Sequence, residues 1–317
     1  MQRWRIEQIG WNKFDRSKVD PSIVPLIKAA ALVERNSRDY ALYLRNVFHD
    51  DPSFAAAADE WAEEEVQHGD ALGQWAKMVD SDWDFAAAFA RFRAGYRVAV
   101  DAETSVRGSR VGELIARCMV ETGTSSYYSA LAEATEEPAL REICQRIAAD
   151  EFRHYKLFYD HMRRYLSHER IGSFGRLRIA LGRLGESEDD ELAFAWHCAN
   201  EPGANEPGAN EPGANEPGAN EPEAIAYDRR RCIAAYGARA MDCYRPRHVD
   251  RMTVMMLRAV GLPARGRLSD LSAWLAWRTL QWRRRRFAGI VKSPTFKSPT
   301  FKSPTFKSSA TTGASPP

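Results

Sequence analysis

One helix-pair pattern is written twice in this chain of 317 residues, and it restricts the fold more than any other feature. Glu34 precedes Glu65 by 31 residues and Glu121 precedes Glu151 by 30; the two copies are offset by 87 residues at the first glutamate and by 86 at the second. In each copy a histidine, His68 or His154, follows the second glutamate at the third position. Residues three apart share one face of an α-helix, so each Glu-x-x-His presents a carboxylate and an imidazole in the same direction. In a chain with seven histidines and this much glutamate, about one such match arises by chance. The repeated spacing is what carries weight.

Taken singly, each of these residues reads equally as an exposed helix side chain, because glutamate is common on helix surfaces. Their neighbours argue otherwise. Glu34 follows Ala29-Ala30-Ala31-Leu32-Val33 and Glu121 follows Cys118-Met119-Val120, surroundings in which an unpaired carboxylate is costly. Metal coordination removes that cost. A glutamate from each of two helices plus Glu-x-x-His from each of two others is the donor set of the di-iron and di-manganese carboxylate bundles. Four carboxylates offset most of the charge of two divalent ions and can bridge them, while two imidazoles leave positions open. We therefore expect two metal ions, iron or alternatively manganese, at Glu34, Glu65, His68, Glu121, Glu151 and His154.

Apolar residues at helical spacing predict one helix from Pro21 to about Phe48, ended at His49-Asp50-Asp51-Pro52, and a second from Ser53 to about Val79. Ser81-Asp82 reads as an N-cap for a helix from Trp83 to about Ala102. Two long helices follow, from about Ser109 to Ala134 and from Pro138 to about Leu166, with proline tolerated in the first turn. Further helical patterns run from Pro222 to Met241, His248 to Val260 and Ser269 to Ile290. Strand-type alternation is missing from the first 170 residues. The expected fold class is all-α, a four-helix bundle with additional helices.

Two low-complexity tracts interrupt this pattern. Glu-Pro-Gly-Ala-Asn occurs four times in tandem within Ala199 to Pro222, and Lys-Ser-Pro-Thr-Phe three times from Lys292 to Phe306. A period of five fits neither a solenoid unit nor a heptad, and in the first tract Pro and Gly in each unit rule out a helix, so the first is expected to be a surface insertion and the second a tail. The organisation predicted is a metal-binding core over 20–170, a helical extension over 171–198, the insertion over 199–222, a basic helical region over 223–290 and the tail over 291–317. Charge follows the same division: from Arg229 onward there are 19 Lys and Arg against 3 Asp and Glu, leaving 26 against 40 before it.

The motifs extend beyond the six ligands into a resemblance. Trp61-Ala62-Glu63-Glu64-Glu65-Val66-Gln67-His68-Gly69-Asp70-Ala71-Leu72 resembles the second-helix motif of the soluble acyl-carrier-protein desaturases, which are ferritin-like di-iron proteins. Ile147-Ala148-Ala149-Asp150-Glu151-Phe152-Arg153-His154 is similar to their fourth-helix motif, and Glu121-Thr122-Gly123-Thr124 to their third-helix site. The resemblance covers roughly residues 20 to 165. It implies that Glu65 and Glu151 bridge two irons, that Glu34 and His68 complete one and Glu121 and His154 the other, and that Thr124 lies beside the oxygen-binding position. Asp150 would accept a hydrogen bond from a ligand histidine. It further implies O2-dependent removal of hydrogen from an acyl chain, an external ferredoxin as electron donor, acyl carrier protein as a partner, and a homodimer. The first helix matches only through Glu34 and its spacing, so substrate-channel residues carry no assignment. A ferritin-like oxidase, hydroxylase or peroxide-consuming protein uses the same ligands, and a non-catalytic iron-binding protein is a third alternative. Ferritin cages are built from much shorter subunits, which counts against storage.

Five cysteines without a C-x-x-C pair exclude a zinc ribbon and a rubredoxin-type site, and read as buried thiols. The N-terminus lacks the apolar run of a signal peptide, and nowhere do eighteen apolar residues run together. A soluble cytoplasmic protein without a transmembrane segment is expected. Arg229-Arg230-Arg231 and Arg283-Arg284-Arg285-Arg286 suit either a solvated helix face or docking of an acidic carrier or ferredoxin; an anionic membrane ranks below both, and nucleic acid is not expected, since no nucleic-acid module is present. Trp274, Trp277 and Trp282 would suit an interfacial helix, but at helical spacing they read as core or dimer contacts. Tyr127 and Tyr128 read as packing residues. His49, His161, His168, His197 and His248 have no glutamate three residues upstream and stay outside the site.

Overall fold

A computed structural model describes residues 3–186, 190–201 and 226–292 of the chain. Residues 202–225 and 293–317, which hold nearly all of both low-complexity tracts, lie outside the described residues, so the readings of insertion and tail fall there too. Among the described residues the fold is all-helical, without strands.

The chain opens with three 3-10 turns, Ile6–Gln8, Trp11–Lys13 and Arg16–Lys18, and continues through helices α1 (Val24–Arg35), α2 (Ser37–Val47), α3 (Pro52–Val79), α4 (Phe85–Gly95), α5 (Arg110–Ala134) and α6 (Pro138–Tyr165). Five further helices follow: α7 (Ser173–Glu186), α8 (Asp190–Asn200), α9 (Arg229–Ala240), α10 (Pro246–Val260) and α11 (Arg267–Val291). The boundaries follow from caps that satisfy the free amides of each first turn. Asp51 accepts from the Phe54 amide at 3.0 Å, Asp84 from that of Ala87 at 2.9 Å, and Ser109 from that of Gly112 at 2.9 Å. Glu137 is fully buried, and its carboxylate takes donors from the Ala139 and Leu140 amides, the Trp75 indole and the Asp15 amide. One side chain thus caps α6 and ties it to α3 and to the N-terminal segment.

Two expectations change. The first predicted helix is two helices, α1 and α2, with Asn36 between them at φ −82° and ψ 4°. That backbone conformation ends the α-helical ladder, and hydrophobic periodicity carries no trace of it because apolar spacing resumes at once in Ala41 and Leu44. The third predicted helix, observed as α4, starts at the Asp84 cap rather than at Ser81-Asp82 and stops at Gly95, well short of Ala102.

Helices α1, α3, α5 and α6 pack on one another, with α2 continuing α1 along α3. Their buried apolar side chains form two clusters. One gathers Leu26, Ile27, Leu72, Trp75, Tyr128, Leu131, Leu140 and Ile143; the other gathers Leu44, Phe54, Trp61, Leu114, Ile115, Cys118 and Phe158. Along each helix the passage from one cluster to the other crosses the predicted polar residues: 65 and 68 on α3, 121 on α5, 151 and 154 on α6. A large apolar side chain gains roughly 2 kcal/mol on full burial, so two apolar cores hold the polar belt between them in place. Helix α8 covers α1, while α9, α10 and α11 form an outer layer against α8, α5 and each other.

Candidate metal centre

Glycine at position 69 sets how closely the first helix pair can approach. A Cβ there would lie 2.7 Å from the Arg35 amide nitrogen and 2.8 Å from the Ala31 carbonyl oxygen, so only glycine lets α3 meet the α1 backbone at this point. The contact lies beside His68 on one helix and Glu34 on the other. It brings Glu34 Oε2 to 3.7 Å from His68 Nδ1, while Glu65 Oε2 and Glu151 Oε1 stand 3.3 and 3.4 Å from the same nitrogen.

The second copy has the same form. His154 Nδ1 lies 3.0 Å from Glu65 Oε1, 3.8 Å from Glu121 Oε2 and 4.0 Å from Glu151 Oε1. Two groups of donor atoms result, Glu34, Glu65, His68 and Glu151 in one and Glu65, Glu121, Glu151 and His154 in the other, each within 4.8 Å of one another and all buried. Glu65 and Glu151 belong to both. All six residues singled out from spacing are thus together, and the five other histidines belong to neither group.

Each imidazole turns Nδ1 inward and Nε2 toward an outer carboxylate. His68 Nε2 is 3.0 Å from Asp150 Oδ2, and His154 Nε2 is 2.8 Å from Glu64 Oε2. The acceptor in each case directly precedes the shared glutamate of the opposite helix. Asp150 is where the sequence reading expects a histidine partner, whereas Glu64 is a partner that reading missed. The internal repeat contained the signal, because Glu64 stands to Glu65 as Asp150 stands to Glu151.

A second missed residue, this one without any signal in the sequence, is Trp4. Its indole donates to Asp150 Oδ2 at 2.7 Å and its ring stacks on His68 at 5.9 Å and 6°. Arg3 pairs with Glu64 at 2.5 Å, and Arg153 bonds to both Asp150 and Glu64. The segment ahead of residue 20 therefore reaches the outer acceptors of both imidazoles.

On the inner side, Thr124 Oγ1 donates to Glu151 Oε2 at 2.5 Å, and Tyr128, read from sequence as a packing residue, donates its hydroxyl to Glu34. Tyr127 does pack, edge-on to Tyr128 and beside Tyr236.

The electrostatics are those of a site built for added positive charge. Burial and the neighbouring Glu65 hold the Glu34 carboxyl far above its ordinary pKa, and burial with Glu151 and Glu65 does the same to Glu121. Burial would also raise Glu65, but the adjacent Glu34 carboxyl and the His154 and His68 imidazoles outweigh it and leave this carboxylate well below the usual range. Burial disfavours charge on both imidazoles. Asp150, Glu151, Glu34 and Glu65 nonetheless push His68 well up, and Glu64 and Glu65 bring His154 to about 9. The raised groups, Glu34, Glu121, His68 and His154, are those on which protons offset the buried negative charge.

The donor set fits metal ions on a second ground. Glu121 Oε1, Glu151 Oε1 and His154 Nδ1 are buried without a hydrogen-bond partner, a condition that costs roughly 1–3 kcal/mol per group unless something else satisfies it. Four carboxylates balance two divalent ions, and the two fixed imidazoles each supply a nitrogen. This arrangement can hold metal ions in a closed pocket of oxygen and nitrogen donors. No protein-family model matches the chain, and no curated protein matches it.

Proposed function

We propose that the chain is a ferritin-like di-iron carboxylate protein, an O2-dependent oxidoreductase of the acyl-carrier-protein desaturase type. The observation that carries this reading is the meeting of two Glu-x-x-His pairs and two further glutamates in one buried cluster, with each imidazole oriented by an outer carboxylate. In this reading Glu34 and His68 would hold one ion and Glu121 and His154 the other, with Glu65 and Glu151, which belong to both donor groups, shared between them; manganese is the alternative metal. When bound, the pair of irons supplies O2 reduction and the oxidising power to remove hydrogen from an unactivated carbon.

The chain's own residues contribute positioning and proton control. Asp150 and Glu64 fix the ring orientation of His68 and His154 and raise their basicity. Thr124 holds a hydroxyl proton against Glu151 Oε2, at the inner face of the centre. Two apolar clusters exclude water from both ends. An acyl thioester on a carrier protein is the proposed substrate and a ferredoxin-like protein the electron donor, in a homodimer.

One observation favours a second reading, a ferritin-like oxidase or hydroxylase acting on a more polar molecule. Arg117 is buried on α5 one turn before Glu121, 4.8 Å from the Tyr40 ring centre, in a polar patch with Glu113, Tyr43 and Glu191. An apolar chain does not call for such neighbours.

Metal analysis tests the centre: about two ions per chain are expected, and Glu65→Ala with Glu151→Ala should remove them, whereas full occupancy in the double variant would sink the site. Incubation with ferredoxin, reductant, O2 and acyl-carrier-protein thioesters, read by product mass, tests the chemistry. Loss of two hydrogens supports desaturation, gain of oxygen supports hydroxylation, and no change with any acyl chain moves the assignment to the second reading.

A further inference from the structure

Helix α11 is anchored on one face and bare on the other. Ala273 and Phe287 are buried against the outer layer, and Phe287 fills the space left by Gly237, where a Cβ would meet its ring at 2.5 Å. The opposite face carries Leu268, Leu271, Trp274, Leu275 and Trp282 at exposures between 46 and 58%. Of the two sequence readings of Trp274 and Trp282, core or dimer contact, the first does not hold, because both project outward, while Trp277 is half-buried. Five large apolar side chains in one stripe on a helix of 25 residues, about 37 Å long, form an exposed surface of the kind that marks an interaction site.

The stripe is set among cations. Arg278 lies over the Trp274 ring at 5.7 Å and Arg286 over the Trp282 ring at 5.6 Å. From Arg267 to the end of the chain the sequence contains six Arg and four Lys against one acid, Asp270. Lys297, Lys302 and Lys307 each directly follow a phenylalanine.

We propose that this face of α11 docks onto an anionic lipid surface, a site independent of the metal centre. Tryptophan and arginine side by side are suited to the headgroup layer, where the ring enters the acyl boundary and the guanidinium meets phosphate. No described helix is long and apolar enough to cross a membrane, so the helix lies in the surface. A second copy of this chain fits poorly. Pairing of two copies across this face would set Arg278, Arg285 and Arg286 against an equally cationic strip, with Asp270 the helix's one acid to offset it; Arg284 is paired with Asp242. An acidic protein would satisfy the arginines but would need a concave surface shaped to the projecting Trp and Leu ridge. A lipid surface adapts to it.

Flotation of the full-length protein with vesicles tests the assignment. It should bind phosphatidylcholine vesicles containing about one-quarter phosphatidylglycerol at least about tenfold more tightly than phosphatidylcholine alone, and raised salt should release it. Trp274→Ala with Trp282→Ala should weaken binding by at least about tenfold, and so should Arg285→Gln with Arg286→Gln. All four side chains are exposed, and an unchanged helical spectrum and metal content verify that the variants fold. Failure to float with anionic vesicles overturns the proposal, as does flotation of both variants at wild-type strength. So does either alternative occupant: a dimer in sedimentation equilibrium abolished by the tryptophan variant, or binding to polyglutamate with the same residue dependence and none to vesicles.

Discussion

The His68 half of the centre is held more tightly than the His154 half, although their donors are the same. Around His68, Asp150 is bonded by the Trp4 indole and by Arg153, Trp4 stacks on the ring, and Tyr128 donates to Glu34. Around His154, Glu64 is held by Arg3 and Arg153, both partly solvent-exposed, and Glu121 Oε1 has no hydrogen-bond partner. Two copies of one motif thus share a ligand set and differ in what surrounds it. One side is fixed by buried neighbours, and the other retains an oxygen free to change its coordination.

The largest effect that can break this comparison is loss of an ion. His68→Ala and His154→Ala should each reduce metal content from two ions to about one, measured on purified protein by elemental analysis. A His68 variant that keeps both would refute the assignment of separate half-sites.

Next come the outer acceptors. Replacing such a partner typically weakens metal binding 10- to 100-fold. Chelator competition should place Asp150→Asn near the upper end of that range and Glu64→Gln near the lower, because Asp150 also holds Trp4 and Arg153. Equal losses would erase the contrast between the halves.

Tyr128→Phe sharpens it further in the metal-free protein. Without the phenol, Glu34 Oε1 is buried and unpartnered, so urea unfolding should show a loss of about 1–3 kcal/mol. Thr124→Val, which acts on the shared Glu151, should cost less, because Thr124 is only partly buried; a larger loss than at Tyr128 would show that the shared carboxylate, and not the His68 half, is the more tightly held.

The smallest effect lies outside the centre. Asp51 caps α3 and pairs with Arg164 and Tyr165, and although burial opposes it, these partners lower its pKa from 3.8 to about 2. A carboxylate with a depressed folded pKa adds stability that is present above pH 3.8 and is lost as pH falls through about 2. Discounted for the exposure of Arg164, that contribution is about 1 kcal/mol. Asp51→Asn should remove this part of the acid dependence and leave both ions in place; a change in metal content would show that the cap and the centre are coupled.

Much of the centre was legible before folding because helical spacing converts sequence distance into direction. Glu65 with His68, and Glu151 with His154, needed only the three-residue rule, and the offset of the two copies supplied Glu34 and Glu121. Glu64 was legible as well, by the same repeat, although a glutamate beside a glutamate looks like an exposed helix face. Trp4 was not legible: nothing local connects residue 4 to residues 68 and 150, and the connection arises from how the N-terminal segment crosses α3 and α6. The break at Asn36 escaped for a different reason, since a change of ψ at one residue leaves the apolar period almost intact.

The sequence by itself determined an all-helical chain and the six donors, because helix period and local apolar context are properties of short segments. Only the tertiary structure decided which carboxylate orients which imidazole, that Gly69 lets α1 reach α3, and that Trp274 and Trp282 face outward. Those outcomes depend on distances between helices and on which face each one buries, quantities that packing of the whole chain sets and no single segment contains.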